Sequence, residues 1–443
     1  MTTRGDGVEL LVQVADEATP GSIEGRALEA WRAEARATLG LPDAAVIAAG
    51  HQSECWHAGI LAKPLWVQAL AARDRSTPVH VVVDQDGFDG MSVEWPFRRP
   101  DGWWGVRGHR FGSADESRSG LRVPAFRPRA ADPGEGAPDH VTAGLAALHA
   151  ALARHAGEPD AAMQGARAML EVALPWLETP RVVRASALMR TALAGRLLER
   201  MLDDPARCAS TFNEALRQAP RAARPLQVRG GEPELPVWLV ATDGTRRRAG
   251  ASEVRQARDT GGTILPRAFL MGALARTALA DRFVHGLGGG VYEPVTDRWL
   301  RAWLGWSPPG HDVVSASVRM QLPLPASPAT STMPWRRAWC DPGLLASGGT
   351  GPSPARRRAL ELIAAIPPRD PRRRTAFREL VTARDEERLR RSGELGALRG
   401  AEEAAGAARL ARELASRRTW CFALLEPARV AALRDAVEHR ARA

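Results

Sequence analysis

Residues 24–40, EGRALEAWRAEARATLG, set Leu, Trp and Ala at helical spacing among charges and stop on glycine, the pattern of an amphipathic helix with a C-terminal cap. AAVIAAG (44–50) then forms a short continuous apolar run, which reads as a buried strand. GILAKPLWVQALAARDR (59–75) returns to the helical period with Pro64 in its first turn, and TPVHVVVDQDG (77–87) is β-branched and apolar up to an acidic end. Strand, glycine turn, helix and strand make a βαβ unit, so the expected class is α/β: a parallel sheet with helices on both faces. Such sheets bind ligands beyond the carboxyl ends of their strands, where the GHQ and DQDGFDG loops fall.

Further along, 91–135 is rich in Trp, Gly and Pro and predicts an elaborated loop or a small antiparallel addition, whereas 140–220 is strongly helical. LPVWLVAT (235–242) reads as a strand with a tight turn after it. TILPRAFLMGALARTALADRFVHGLGGG (263–290) reads as one helix running into a glycine loop, with VYEPVTDRWLRAWLG restarting a helix. Residues 307–355 have linker composition, and 355–417, dominated by Ala, Arg, Glu and spaced Leu, suggest a helical hairpin or coiled-coil arm. RTWCFALLEPARVAALRDAVEHR goes from a strand-like piece to a final helix. The expected divisions are therefore 1–135 and 226–306 as two parts of one core, 136–225 as a helical insertion, 307–354 as linker, 355–419 as the arm and 420–443 returning to the core.

Composition narrows the class. The chain has 443 residues, 44% of them hydrophobic and 25% charged, with room for a sizeable core. Its net charge of +10 arises from arginines scattered among Asp and Glu; the RRR runs at 246–248, 356–358 and 372–374 lack interleaved aromatics, so solvated faces are expected and a nucleic-acid partner is not. Cys55, Cys208, Cys340 and Cys421 show no C-x-x-C or zinc spacing, which points to a reducing compartment without a structural metal. No signal-like N-terminus and no 18-residue apolar span are present, so a cytoplasmic protein without a membrane partner is expected.

Three groups of residues carry candidate chemistry. The first is Gly50, His51 and Gln52 with His57 and Lys63, the sole lysine of the chain. A glycine turn between strand and helix turns backbone N–H groups towards an anion, and imidazole and ammonium groups neutralise charge on a transferring or leaving group. In the plainer alternative His51 and Gln52 cap a helix and Lys63 points to solvent. The second group is Asp84, Asp86 and Asp89, able to hold Mg²⁺ with a nucleotide, to hold an amine or to act as a base, or else ordinary turn residues. The third is His285, Gly286, Gly288 and Gly289 with Tyr292 (the sole tyrosine), Glu293, Thr296 and Asp297, where glycines admit a ligand close to the backbone or serve only as a hinge. Arg267 is a further candidate, as an anion clamp or a structural residue. The pattern is neither G-x-G-x-x-G nor a P-loop, and no G-x-S-x-G or H-E-x-x-H is present.

VIAAGHQSECWHAGILAKPLWVQALA followed by PVHVVVDQDGFDG resembles the opening of the BshC family, the cysteine-adding enzymes of bacillithiol biosynthesis; LPVWLVATDG, ILPRAF and HGLGGGVYEPVTD look like a divergent branch of it. The resemblance implies a Rossmann-like core related to nucleotidylyltransferases, a coiled-coil arm that supports a homodimer, and a ligase-type site associated with ATP or ADP. It carries Gly50, His51 and Gln52 onto the family's G-Q-Q turn, Lys63 onto its helix lysine, Asp84, Asp86, Phe88 and Asp89 onto its acidic loop, and Gly288, Gly289 and Glu293 onto its glycine loop. His51 replaces a glutamine, Gly87 a histidine, and the G-P-G-E loop is missing, so the family's substrates do not carry over. The function expected is amide formation between an amino acid and a small acceptor; the alternative is a non-catalytic nucleotide or metabolite binder.

Overall fold

Val46–Gln52, Ala58–Asp74 and Thr77–Val83 are the strand, helix and strand of the N-terminal pattern, and the two strands pair in parallel from Val46↔Thr77 to Gln52↔Val83. They lie within a seven-stranded sheet ordered Thr2–Gly5, Val8–Gln13, His311–Val318, Arg282–His285, Val46–Gln52, Thr77–Val83, Arg181–Arg184. The last five are parallel, and the first two add antiparallel to one side. This mixed α/β architecture comes from a computed structural model that describes all residues except 1, 6, 16–18, 324–332 and 346–351.

The chain divides into two units, one comprising Met1–Arg99, Gly105–Met320 and Ser416–Ala443, the other Pro100–Trp104 and Gln321–Ala415. In the first, Leu28–Thr38 buries Leu28, Trp31, Arg32, Ala35 and Arg36. It starts four residues later than its composition suggests because Glu24 and Gly25 are left-handed (φ 51° and 73°) and turn a two-residue hairpin between Ser22–Ile23 and Arg26–Ala27. Pro64 stands at the seventh residue of its helix, not in the first turn, so it cannot donate to the Ile60 carbonyl. The 91–135 region contains the paired strands Ser92–Arg98 and Trp104–Arg110, the antiparallel addition expected there. Glu232–Val240 is a strand, but it pairs with Val228–Arg229, Arg246–Gly250 and Thr263–Pro266 in a separate antiparallel sheet.

Four expectations are corrected. Residues 263–290 are not one helix: Thr263–Pro266 is a strand, Ala268–Leu274 a helix that ends in a π-turn at Ala275–Leu279, and Arg282–His285 a strand of the central sheet. A short apolar run reads equally as helix or strand by periodicity alone, and here burial between two parallel neighbours decides it. The glycine run is not a loop but the first turn of the helix Leu287–Leu304. The stretch assigned to linker contains the central strand His311–Val318; residues 324–332 and 346–351 of that stretch lie outside the described residues. The strand-like piece at 420–424 is a short 3₁₀ turn held by one bridge, His57↔Cys421.

The second unit is helical, with Pro354–Ala365 packed on Arg372–Arg390 and Ser392–Ser416 following after a single break at Arg391. Arg391 N–H donates to Glu387 and Leu395 N–H to Arg391, so the helical hydrogen-bond spacing runs through the break. Leu360, Leu362, Phe377, Val381 and Leu389 are exposed on these helices.

Candidate functional site

Numbered along the chain, the five parallel strands lie in the order 3-2-1-4-5. The order in which strands are added therefore reverses between Val46–Gln52 and Arg282–His285, which pair in parallel with Ile47↔Arg282, Ala48↔Phe283 and Ala49↔Val284 in register. Beyond the carboxyl ends of two strands that diverge in this way, a crevice opens for a ligand. The GHQ turn and the glycine run leave from these two strand ends. Gly50 packs closely on the neighbouring strand: a Cβ there would lie 3.1 Å from the Val81 carbonyl oxygen and 3.2 Å from the Val81 Cβ.

Lys63 does not point to solvent. Its side chain is buried, with Nζ 2.6 Å from the Gly50 carbonyl oxygen and 3.2 Å from His51 Nδ1. With Lys63 donating, His51 Nδ1 accepts and His51 Nε2 carries the proton that meets Glu54 Oε1 at 2.7 Å. Burial holds His51 well below the usual histidine range, with Lys63 and His57 adding to the effect, and brings Lys63 down to about 8 against the upward pull of Glu54. The helix cap is His57, whose Nδ1 accepts from the Gly59 N–H at 3.0 Å; burial and Arg418 lower this imidazole to about 4. Beneath them lies His80, tilted against Trp56 at 5.1 Å between ring centroids, buried and lowered to about 3 by burial, then by Lys63 and His51.

The three aspartates part company. Asp84 is fully buried and accepts from Ser186 N–H (2.8 Å), Ser186 Oγ (2.5 Å) and Arg184 Nη1 (3.4 Å), so its carboxylate ties the strand Arg181–Arg184 to its neighbour. Asp86 accepts from Gln52 Nε2 at 3.0 Å and from Arg246 Nη1 at 3.3 Å, so the GHQ turn and the acidic loop do meet, through this pair. Asp89 accepts from the N–H groups of Met91 and Ser92, shaping a turn in which Gly90 and Met91 both have positive φ.

Gly286 caps the helix Leu287–Leu304 with no side-chain hydrogen bond, and a Cβ on it would sit 3.7 Å from Lys63 Cδ, so the first and third candidate groups converge. Gly288 faces open space. Gly289 has the opposite role, since a Cβ there would overlap the His285 ring. The positive end of this helix thus lies beside Lys63.

His285, Glu293 and Thr296 are buried behind that turn, and Tyr292 is half-buried beside them. His285 Nε2 lies 3.1 Å from Glu293 Oε1, and Glu293 Oε2 lies 2.5 Å from Arg276 Nη1, which also meets Asp297 Oδ1 at 2.8 Å. Burial pushes the Glu293 carboxyl upward, but His285 and Arg276 outweigh it and hold the group at about 2. The Tyr292 ring packs between Phe269 and His285, and burial raises its phenol. Arg267 stands away from this group, paired with Glu234 and lying over Trp238.

Sequence reasoning missed Glu54, Arg276, Arg246 and His311. Arg276 had a signal, as the one cation in AFLMGALARTALA; it sits on the π-turn, a feature often found at functional sites. His311 meets the His285 ring edge-on at 5.2 Å, a contact between two strands with no local trace in the chain. The helix start without a side-chain cap, the open Gly288 and the Lys63 ammonium are groups of the kind that receive an anion. Among the described residues no three His, Cys, Asp or Glu side chains form a ready metal site. No protein-family model and no curated protein matches the chain.

Proposed function

We propose that this protein is a BshC-like ligase-type enzyme that joins an amino acid, cysteine being the first to test, to a small acceptor by amide formation with ATP or ADP at the site. The observation that carries the reading is the buried Lys63 beside an uncapped helix start at the reversal point of the sheet. In this reading the core is Rossmann-like and related to nucleotidylyltransferases, in keeping with the 3-2-1-4-5 strand order. A cytoplasmic homodimer joined through the coiled-coil arm completes the proposal; the exposed Phe377, Val381 and Leu389 support it. No helix among the described residues is long and apolar enough to cross a membrane.

Amide formation needs an activated carboxyl group and a neutral amine, and a bound nucleotide supplies the activation. The residues around it divide the remaining work. Lys63 and the N–H groups opening the helix Leu287–Leu304 stabilise the anionic end of the ligand in a site of low dielectric. His51 is held neutral, and its ring links Lys63 to Glu54 as a path for the proton that the attacking amine releases. Gln52 and Asp86 orient the amine, with Arg246 holding the Asp86 carboxylate in place. The Glu293–Arg276 pair holds the helix start in place.

The second reading is a non-catalytic nucleotide or metabolite binder, and the commitment of Asp84 to Ser186 and Arg184 favours it, because that carboxylate is not free to act as a base. Thermal unfolding of the wild type and of Lys63→Ala with ATP and ADP, with and without Mg²⁺, tests both readings. A ligand at a hundred times its dissociation constant stabilises by about 2.7 kcal/mol. A shift in the wild type that is lost in Lys63→Ala supports nucleotide binding here, and amide formation from labelled cysteine then separates enzyme from binder. No shift with any nucleotide rejects the nucleotide-linked ligase and the nucleotide binder, and leaves a binder of some other metabolite.

A further inference from the structure

Cys55 and Cys421 stand at opposite ends of the chain, yet the fold brings them together. His57 forms a β-bridge with Cys421, and the Phe422 N–H donates to the Trp56 carbonyl oxygen at 2.8 Å, so residues 55–57 and 421–422 run as a short antiparallel pair. Alternation along such a pair puts Cys55, His57 and Cys421 on one face. Cys421 beside the Cys55 thiol raises it well above the usual thiol range, with burial and the carboxylates of Asp89 and Glu54 adding to the rise. Cys55 is half-buried and Cys421 is buried beneath it. The other two cysteines lack a thiol neighbour of this kind: Cys208 is buried with its sulfur near the Trp299 indole, and Cys340 is exposed in the other unit.

We propose that Cys55 and Cys421 are a redox pair that closes to a reversible disulfide when the protein meets a peroxide. The Cys55 thiolate attacks one peroxide oxygen, the O–O bond breaks, and the hydroxide released takes a proton to leave as water. Cys421 then attacks the resulting sulfenic sulfur, the S–O bond breaks, and a second water departs with the Cys421 proton. Two thiols lose two electrons and one peroxide becomes two waters, while a dithiol reductant reverses the change. The thiol-raising neighbours make the first step slow at neutral pH, which suits a pair that closes under strong oxidant exposure.

The position gives the bond a consequence. Cys55 follows Glu54, the partner of His51, and precedes His57, the cap of the helix that carries Lys63. A disulfide here ties the loop between the GHQ turn and its helix to the segment that leads into the final helix Pro427–Arg442. The inference rests on the thiol geometry alone, not on the proposed ligase activity.

The test is a thiol count on the full chain. The folded protein is treated with hydrogen peroxide, quenched, denatured, alkylated with iodoacetamide and digested without reductant. Of the four cysteines, two are expected to remain alkylatable, Cys208 and Cys340, with a single peptide pair linking Cys55 to Cys421 that dithiothreitol abolishes. The Cys340→Ser variant should form the same linked pair. Because Cys421 is buried and its substitution endangers the fold, Cys55→Ser at the half-buried position is the control, and it should leave Cys421 fully alkylatable. Recovery of Cys55 and Cys421 both alkylated, or links made only through Cys340, overturns the proposal.

Discussion

Lys63 Nζ lies 2.6 Å from the carbonyl oxygen of Gly50, so the only ammonium side chain in the protein is spent on the strand end at which the strand order reverses. Burial lowers this amine to about 8. Between pH 8 and about 10.4 the unfolded chain therefore holds a proton that the folded chain has released, and stability rises with pH across that window. Relative to Lys63→Met, wild type should gain up to about 3 kcal/mol between pH 7.5 and pH 10. Urea unfolding at both pH values measures it; parallel curves for the two proteins would show that Lys63 is not depressed.

His80 makes the opposite window visible. Its folded value of about 3 lies below the unfolded value near 6.5, so stability is present above pH 6.5 and drains away as pH falls towards 4. His57, lowered to about 4, works in the same direction. Both ring nitrogens of His80 are buried without a hydrogen-bond partner among the described residues, and Phe retains the contact with Trp56. His80→Phe should match or exceed wild type at pH 7 and outlast it at pH 4 by about 3 kcal/mol. Denaturant midpoints at the two pH values decide the matter, and an unchanged acid limb refutes it.

Within one glycine run the residues differ sharply. Gly289→Ala drives a methyl group into the His285 ring, and Gly272→Ala drives one into the Glu293 carboxylate, each with a loss of about 1–3 kcal/mol. Gly288→Ala meets open space in a helix and should be neutral or stabilise by up to about 1 kcal/mol. Equal effects at Gly288 and Gly289 in thermal unfolding would contradict the helical start. If a ligand uses the open side of this turn, Gly288→Ala should weaken it while leaving the fold intact.

Arg276 is enclosed with Glu293, Asp297 and the Pro309 carbonyl around it. Arg276→Met leaves Glu293 ionised and buried, so it should destabilise by about 3–5 kcal/mol. Adding Glu293→Gln to Arg276→Met removes the stranded charge and should recover part of that loss. A double variant no more stable than the single one shows that the pair contributes through packing rather than charge.

Local pattern was enough for Val46–Gln52, Ala58–Asp74 and Thr77–Val83, because their periodicity, glycine stop and β-branched run all agree. It also picked out Lys63, His51 and Gln52, since residue type and a strand-to-helix turn are properties of neighbouring positions. It failed at Arg282–His285, at His311–Val318 and at the glycine-rich helix start, where short apolar or glycine-rich pieces have no state of their own until neighbours bury them. The domain divisions drawn from composition shared this weakness, as the strand within the supposed linker shows.

What the chain determined alone was therefore the α/β class, the first βαβ unit and the residue types offered at its turns. Tertiary structure decided the rest: that Lys63 is buried against Gly286, that Asp84 is committed to Ser186, and that Cys55 touches Cys421. Each of those contacts joins residues from separate elements. Their partners are set by strand order and by desolvation, which act across space and leave no periodic mark in the sequence.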